Sequence, residues 1–546
     1  MKRIILYKSI FCAALVMTAV SCSKDDLNVS PTNQLSDATF WKTESDATMA
    51  LTACYRHWDY WYNIKELDGA TDNGYLKKNI YFGPIADGSL TPTSNTGWAY
   101  ATWITKTSTF PKGEPVMNDY FRYEKIRKYN TFLAHIDDID MDETLKAQYI
   151  AEVKVLRAYN YINKIMFYGD VTLLTKPVTA DEANIGRTPK ADVVAFVLKD
   201  LQDAAADLPE ENLLTSKGHF TKGSAYALKA RLELYQGMFA EAQADAKKVI
   251  DMSCYELYPD YEGLFHESAE STDKESIMKL GYTVDTYYSR VPQFFLPLSE
   301  GGWSALAATK DYLDCMQMSN GKFKDDADSG YDSEYPYKNL DPRFYYQIIY
   351  PGCTYNGKIY DPFSKTIDGD ANMNYYLEND ACRSGMNVKK HIEPVQSTDQ
   401  LNNCGTDIPV LRLAEIYLTY AECALETGND MAGGLKYLNK VRERAGMPDA
   451  TELTQRIVRY ERRVELAFEG LRYFDIERWD LGEEAFQDCY GSRLGTMDKA
   501  GNITWNTTED YILLEKRTFV SSHNYLFPIP QNELDRNPNI KQNLGY

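Results

Sequence analysis

Residues 222–251 read KGSAYALKARLELYQGMFAEAQADAKKVID, and the spacing of small and aromatic residues within them decides the fold. The residues that set this spacing are Ala227, Ala230, Tyr235, Gly237, Phe239, Ala242 and Ala246. Alanines at helical offsets let two helices approach closely, a glycine ends the first helix, and the aromatic residue after it plugs the turn. The stretch therefore predicts two antiparallel helices joined by a tight turn at Gly237.

A second stretch repeats this pattern much later in the chain. In residues 411–446, LRLAEIYLTYAECALETGNDMAGGLKYLNKVRERAG, Gly428 stands at the turn between two apolar helical faces. The first face carries Ala414, Tyr417, Ala421 and Ala424, and the second carries Leu435, Leu438 and Val441. Both stretches resemble tetratricopeptide repeats, whose hairpins stack because one hairpin cannot bury its own apolar face. We therefore expect a mainly α fold with a tetratricopeptide-like helical-repeat scaffold, an α-α superhelix.

Other helices are predicted from the apolar period of the sequence. Residues 144–167 place Leu145, Tyr149, Val153, Leu156 and Tyr159 on one face, which is typical of a long helix. Residues 191–209 show the same period and end at a proline, which stops a helix. Residues 456–479 are predicted as one continuous helix.

Two long tracts, residues 59–122 and 281–410, are rich in Gly, Pro, Asn, Asp and aromatic residues. Fourteen of the 42 tyrosines lie between residues 281 and 380. Connections of this length inside a compact protein are usually functional. Amphipathic rings in loops commonly form a recognition surface, so we expect these tracts to carry the ligand-binding region.

The N-terminus predicts export and lipid attachment. Lys2 and Arg3 precede an apolar stretch of signal-peptide length, which stops at TAVSCSKDD, residues 18–26. The small residues before Cys22 resemble a bacterial lipobox, so we predict a lipoprotein signal peptide over residues 1–21 and acylation of Cys22. Residues 22–35 are polar and read as a tether. The open alternative is an ordinary secretory signal cleaved near Ala19.

Composition excludes several functions. With 79 acidic against 59 basic residues the formal net charge is −20, and no basic stretch exists that would bind nucleic acid. The six histidines are dispersed and no two cysteines form a CxxC pair, so neither a metal site nor a cofactor is predicted. The cysteines other than Cys12 and Cys22 are expected to be scattered buried thiols, and Cys353, Cys382 and Cys404, in the loop-rich tract, are the candidates for any disulfide.

Seven stretches, in order along the chain, resemble the SusD/RagB family of surface lipoproteins. They are residues 31–56, 150–174, 339–352, 410–425, 437–446, 462–479 and 525–546. The most characteristic is RRVELAFEGLRYFDIERW at 462–479, and the last departs from the family where Leu544 replaces the usual proline. The resemblance covers residues 21–546. It implies an N-terminal region over 36–270 and a C-terminal region over 271–546 that contains the loop-rich insert 281–410.

The resemblance implies binding of an oligosaccharide or polysaccharide, or less often of a peptide, and its delivery to a SusC-like TonB-dependent transporter. The protein would be lipid-anchored in the outer membrane, would face the cell exterior, and would need no cofactor. A sugar site needs flat rings for the C–H faces of the sugar and amide, acid or guanidinium groups for its hydroxyls. The candidate ligand-binding residues are Asp72, Asn73, Trp98, Tyr287, Tyr288, Arg290 and Trp303. Trp41 and Trp479 lie in helical patterns and are expected in the core.

The acidic residues of the most characteristic stretch are predicted to be structural and not catalytic. Glu469, Arg472, Asp475 and Arg478 are spaced three apart, so that opposite charges alternate along one face of the predicted helix. Each acid then has an arginine neighbour that keeps it ionised. Two alternatives to a binding protein stay open: a glycoside hydrolase with a carboxylate pair elsewhere, and a scaffold for other surface lipoproteins.

Overall fold

The computed structural model describes residues 40–56, 89–90, 121–211, 218–269, 271–377, 381–393, 398–507, 510–516 and 519–546. The predicted signal peptide and tether lie outside these residues, as do Cys22, Asp72, Asn73 and Trp98. The architecture is mainly α, as predicted. The predicted division between residues 270 and 271 stays a prediction. Among the described residues, no helix is both long and apolar enough to cross a membrane.

The helices form the frame of the molecule. In chain order they are α1 (Glu44–Tyr55), α2 (Glu124–His135), α3 (Glu143–Tyr168), α4 (Lys190–Asp207), α5 (Lys222–Tyr235), α6 (Phe239–Ile250), α7 (Val291–Phe295), α8 (Lys310–Cys315), α9 (Pro342–Gln347), α10 (Leu413–Thr427), α11 (Met431–Arg444), α12 (Gln455–Glu465), α13 (Arg472–Arg478), α14 (Gly482–Ala485) and α15 (Gln531–Arg536). The longest, α3, starts where Asp142 accepts a hydrogen bond from the backbone of Leu145 at 2.9 Å, and it ends at Gly169 with φ 70°.

The strands are short and lie mostly in the C-terminal half. They are β1 (Ser89–Leu90), β2 (Ser276–Leu280), β3 (Ala307–Ala308), β4 (Ile348–Ile349), β5 (Thr354–Tyr355), β6 (Lys358–Ile359), β7 (Thr366–Ile367), β8 (Asp370–Ala371), β9 (Asn387–Val388), β10 (Ile408–Arg412), β11 (Cys489–Arg493), β12 (Gly495–Met497), β13 (Ile503–Trp505) and β14 (Tyr511–Glu515). One sheet has the order β1-β3-β9-β4, and β2-β10, β5-β6, β7-β8, β11-β14 and β12-β13 pair separately. All the described pairs between these strands are antiparallel.

Both predicted helical hairpins are present. Helices α5 and α6 join at Gly237, whose φ of 71° places it in the left-handed region that favours glycine, and α10 and α11 join at Gly428 with φ 69°. The alanines at the predicted contact positions are fully buried. Helix α6 also packs against α10, so the two hairpins stack on each other.

The continuous helix predicted over residues 456–479 is wrong. The structure has α12 and α13 instead, separated by a turn in which Phe468 and Gly470 adopt φ values of 62° and 72°. Left-handed backbone cannot continue a right-handed helix, so the alternating charges do not share one face. Glu469 is paired with Arg412 and Lys390 at 2.7 Å each, and not with Arg472.

A buried ion cluster, which we call the Arg412 cluster, lies beneath this turn. Its members are Glu275, Asp341, Arg343, Lys390, Arg412, Arg442, Arg444, Glu461, Glu465 and Glu469. Arg412 is fully buried and reaches three carboxylates, with the nearest atoms of Glu275 and Glu465 at 2.7 and 2.6 Å. Buried charges are tolerated because each has a partner of opposite sign. The cluster therefore fixes the relative positions of β2, β10 and α12.

The eight described cysteines are all free thiols, which agrees with the expectation of scattered thiols, and the disulfide candidates Cys353, Cys382 and Cys404 are among them. Cys382 lies 3.3 Å from the hydroxyl of Ser384, and Cys404 lies 3.1 Å from the hydroxyl of Thr406. Burial raises the pKa of the Cys353 thiol to about 11, which keeps it protonated at neutral pH. These cysteines fill space as small apolar groups.

Candidate functional site

The described candidate residues lie on one segment, residues 281–304, which we call the aromatic segment. Thr283 and Tyr287 exchange backbone hydrogen bonds of 2.6 and 2.9 Å across a tight turn, in which Asp285 has φ 65°. The ring of Tyr287 stacks on the buried ring of Tyr282, with centroids 5.5 Å apart and planes 6° apart. Tyr287 is 36% exposed, whereas Tyr288 is half-buried. The turn therefore presents part of one stacked aromatic side chain to solvent.

Residues 402–404 form hydrogen bonds that hold the aromatic segment in place, and we call these residues the clamp. Ser289 and Cys404 exchange backbone hydrogen bonds of 2.7 and 3.1 Å. The side chain of Asn403 accepts from the Asp285 backbone at 2.8 Å and donates to its carboxylate at 2.6 Å. The sequence interpretation missed these contacts, although an Asn-Asn pair inside an aromatic-rich loop is the kind of signal that could have indicated them.

Trp303 projects from a turn that only glycine permits. A Cβ atom on Gly302 would lie 2.1 Å from the carbonyl oxygen of Leu296, and Gly301 has φ 81°. The backbone N–H of Trp303 donates to the carbonyl of Gln293 at 2.7 Å. The indole ring packs edge-on against Phe294 with centroids 5.3 Å apart, and the side chain stays 43% exposed. Phe294 thus supports a tryptophan that solvent can reach.

Arg290 and Trp303 are brought together by this fold. The guanidinium carbon of Arg290 lies 5.2 Å from the centroid of Trp303 and 5.9 Å from that of Phe294, within the range of a cation–π contact. Its Nε donates to the side-chain oxygen of Asn402 at 3.0 Å. The arginine is therefore held in place by one amide and two rings, and it is half-exposed beside the indole.

The sheet connects the two loop-rich tracts. Strand β1 pairs with β3 so that Ser89 faces Ala308 and Leu90 faces Ala307. Ala307 follows Trp303 by four residues, and Trp98 follows Leu90 by eight. The pairing therefore brings Ser89 and Leu90 of the first tract to the strand that follows Trp303, whereas Trp98 lies outside the described residues.

Trp41 and Trp479, which the sequence predicts to lie in the core, have different surroundings. Trp41 packs against the core and stacks on His135 with centroids 5.0 Å apart. Trp479 is half-buried, and its indole N–H donates to the carboxylate of Glu422 at 2.7 Å. Neither ring lies on the aromatic segment.

The arrangement of these side chains is suited to holding a ligand. The segment carries two carboxylates: that of Asp285 accepts a hydrogen bond from Asn403, and that of Glu300 accepts one from Asn356 at 2.8 Å. No group of His, Cys, Asp and Glu in the described part of the chain could hold a metal ion. A flat indole beside a guanidinium and amides offers a surface for the C–H face of a sugar and donors for its hydroxyl groups.

Two family models match the chain. Residues 261–546 match the model described as the SusD family, and residues 66–234 match one described as starch-binding associating with outer membrane. Among curated relatives, a SusD-like protein P2 from Formosa agariphila is 23% identical over 99% of each chain. The starch-binding protein SusD from Bacteroides thetaiotaomicron is 24% identical, again over 99% of each chain.

Solved structures share the fold. A SusD-like carbohydrate-binding protein from Bacteroides fragilis superposes with a TM-score of 0.80 and is 27% identical, covering 92% of this chain and 100% of its own. A laminarin-binding SusD-like protein superposes with a TM-score of 0.68 at 24% identity, with coverage of 92% and 100%. The helical hairpins and the loop-rich insert thus belong to one shared architecture.

Proposed function

The chain belongs to the SusD family, and on that premise we propose that it binds an oligosaccharide or polysaccharide at the cell surface and delivers it to a SusC-like TonB-dependent transporter. Carbohydrate binding is supported by the names of similar proteins, one of which binds starch and another laminarin. Association with the outer membrane is supported by the description of the second matching model. Acylated Cys22 would anchor the chain there, with each buried CH₂ of the lipid contributing about 0.8 kcal/mol.

The observation that carries the binding proposal is the exposed Trp303 ring with Arg290 beside it. Phe294 and Gly302 hold the ring in place, so little conformational freedom would be lost when a sugar stacks on it. We infer that Tyr287 and Tyr288 extend this surface. Asp72, Asn73 and Trp98 remain proposed ligand contacts from the tract that pairs with β3.

The test is retention of polysaccharides in affinity gels by the full chain solubilised in detergent. Starch and laminarin serve as probes because they are named for similar proteins. Trp303→Ala should weaken retention about tenfold, equivalent to about 1.4 kcal/mol, whereas Trp303→Phe should keep most of it. Tyr335→Ala is the matched control, because Tyr335 is 62% exposed and lies outside the aromatic segment.

The competing functions give different results in the same preparation. A glycoside hydrolase would release reducing ends from the retained polysaccharide, and a pure scaffold would retain polysaccharide equally well after Trp303→Ala. Either result contradicts the proposed function. Delivery is tested separately by crosslinking in outer membranes, where a TonB-dependent transporter should be recovered with the chain. If crosslinked chains contain only other lipoproteins, the transport partner is wrong.

A further inference from the structure

A cleft lies beside residues 297–300, which lead into the turn that carries Trp303. Its volume is about 730 Å³, within the range of ligand-binding pockets. The β5-β6 and β7-β8 hairpins, the end of β12 and residues 297–300 form its walls. Glu300, in the wall, precedes Trp303 by three residues, and the backbone N–H of Gly302 donates to the carbonyl of Pro297 at 3.0 Å. One short turn therefore joins the cleft to the aromatic segment.

The walls offer apolar surface that the fold leaves uncovered. Met373 is 55% exposed and Ile367 is 44% exposed, and both line the cleft. Tyr355 lines it as well, and burial together with the nearby carboxylate of Glu300 raises the pKa of its hydroxyl, which keeps that hydroxyl a hydrogen-bond donor. A sugar ring has apolar C–H faces and polar hydroxyl groups. Apolar patches next to polar groups can therefore contact both.

The polar groups of the cleft divide into those that build it and those that face solvent. Asp361 accepts from the backbone of Phe363 at 2.8 Å, and Asp498 accepts from Ala500 at 2.9 Å, so both close turns. Asn372 and Asn374 are also consumed by hydrogen bonds within the walls. In contrast, Asp370 is exposed, and its carboxylate makes no hydrogen bond with any residue that the structure describes.

The charge of the cleft is negative. Five carboxylates line it, namely Glu300, Asp361, Asp368, Asp370 and Asp498, against the two ammonium groups of Lys358 and Lys499. The ammonium group of Lys499 is paired with Asp368 at 2.5 Å. Among the lining residues, Lys358 then stands against the four other carboxylates. Charges separated by less than about 8 Å interact appreciably at physiological salt, so the carboxylates of the cleft repel an anionic ligand that enters it.

We propose that this cleft is a further glycan-binding site, contiguous with the aromatic segment, which holds the extended part of an uncharged polysaccharide and rejects chains that carry uronate or sulfate. The inference rests on the proposed function, because it assumes that one end of the same chain stacks on Trp303. It adds two properties that stacking alone does not supply: affinity that rises with chain length, and discrimination against anionic glycans.

The test is calorimetric titration of the detergent-solubilised chain with laminari-, malto- and galacturono-oligosaccharides from disaccharide to heptasaccharide. For a neutral series that binds, the heptasaccharide should bind about tenfold more tightly than the disaccharide, and the galacturonate heptasaccharide should bind at least tenfold more weakly than the neutral one. Asp370→Lys should lower the heptasaccharide-to-disaccharide ratio about fivefold and should strengthen galacturonate binding. Glu426→Lys, an exposed change on α10 with the same effect on net charge, should alter neither ratio.

The outcomes separate the two proposals. If the wild-type chain binds neutral disaccharides and heptasaccharides equally, or if Asp370→Lys leaves both ratios unchanged, the cleft proposal is wrong while stacking on Trp303 stands. Equal affinity for neutral and galacturonate chains also contradicts it. If the wild-type chain binds no member of any series, the proposed function is contradicted and this inference falls with it.

Discussion

At Gly302 the chain folds back so tightly that a methyl group would overlap the carbonyl of Leu296. Loop composition alone indicates Trp303 and Arg290 as candidate ligand-binding residues. Their contact was not predictable, because it depends on how α7 places Phe294 beneath both side chains. The contact between Asn402 and Arg290 was not predictable either, because the two residues lie more than one hundred positions apart in the sequence.

Gly302→Ala should weaken glycan binding about fivefold, because the turn must open and Trp303 must move away from Phe294. The change is measured by titration with a bound oligosaccharide, alongside the thermal midpoint of unfolding. Gly281→Ala is the matched control, since a Cβ there would meet only a side-chain oxygen of Asp407 at an ordinary 3.6 Å. Equal affinity of both variants and the wild type would show that the turn does not position the ring.

At the scale of elements, the helical hairpins were predictable because their signal is local. Alanines and a terminal glycine recur at fixed offsets, and each helix pair closes within about 30 residues. The break between α12 and α13 was not predictable, because Gly470 alone is compatible with a helix. Phe468 adopts φ 62°, and its buried ring contacts that of Tyr312, far away in the sequence, with centroids 4.9 Å apart. The hydrophobic period within a short stretch of sequence carries no information about such a long-range contact.

Gly434→Ala should destabilise the second hairpin. A Cβ at this position would lie 2.7 Å from the Cβ of Ala424 and 2.9 Å from a methyl group of Leu453, so α10 and α11 would have to separate. Overpacking of this kind costs about 1–3 kcal/mol in the free energy of unfolding. Urea denaturation followed by circular dichroism measures it. Ala432→Ser, an exposed change on the same helix, should shift the midpoint little, and a similar shift for both would contradict close packing as the cause.

At the scale of the whole molecule, the Arg412 cluster holds together parts of the chain that are far apart in sequence. Arg412 lies 57 positions from Glu469 and 137 from Glu275, so no spacing rule could pair them. The sequence interpretation was right that Glu469 is structural and wrong about its partner. Arg231 and Glu415 form a second buried pair that joins α5 to α10. Buried pairs of this kind position the hairpins relative to the loop-rich insert.

The Arg412 cluster predicts a loss of stability in acid. Burial opposes ionisation of Glu469, but the charges of Arg412 and Lys390 outweigh it and hold its pKa at about 2, against an ordinary 4.5. Because the pKa is lower in the folded chain, the carboxylate stabilises the fold above pH 4.5, and this contribution is lost as the pH falls toward 2. A shift of this size corresponds to about 3 kcal/mol. Urea denaturation at a series of pH values should show the decline.

Glu469→Gln should lower the free energy of unfolding at pH 7 by about 3–5 kcal/mol, because an amide leaves Arg412 and Lys390 without full compensation. It should also flatten the decline between pH 4.5 and 2. Asp325→Asn is the control, since its partner Arg456 is half-exposed and the carboxylate lies in solvent. If the two variants behave alike, burial of the cluster does not determine acid stability.

The hydrogen bonds between Ser289 and Cys404 of the clamp are made by main-chain atoms, so they do not depend on which side chains the aromatic segment carries. The side chains proposed to contact the ligand can therefore be replaced while the main-chain hydrogen bonds that hold the segment are kept. For protein engineering this makes Tyr287, Tyr288 and Arg290 the first positions to randomise, with Gly302 and Asn403 kept fixed. If the proposed site is correct, we expect such a library to yield variants with new ligand preferences at little cost to folding.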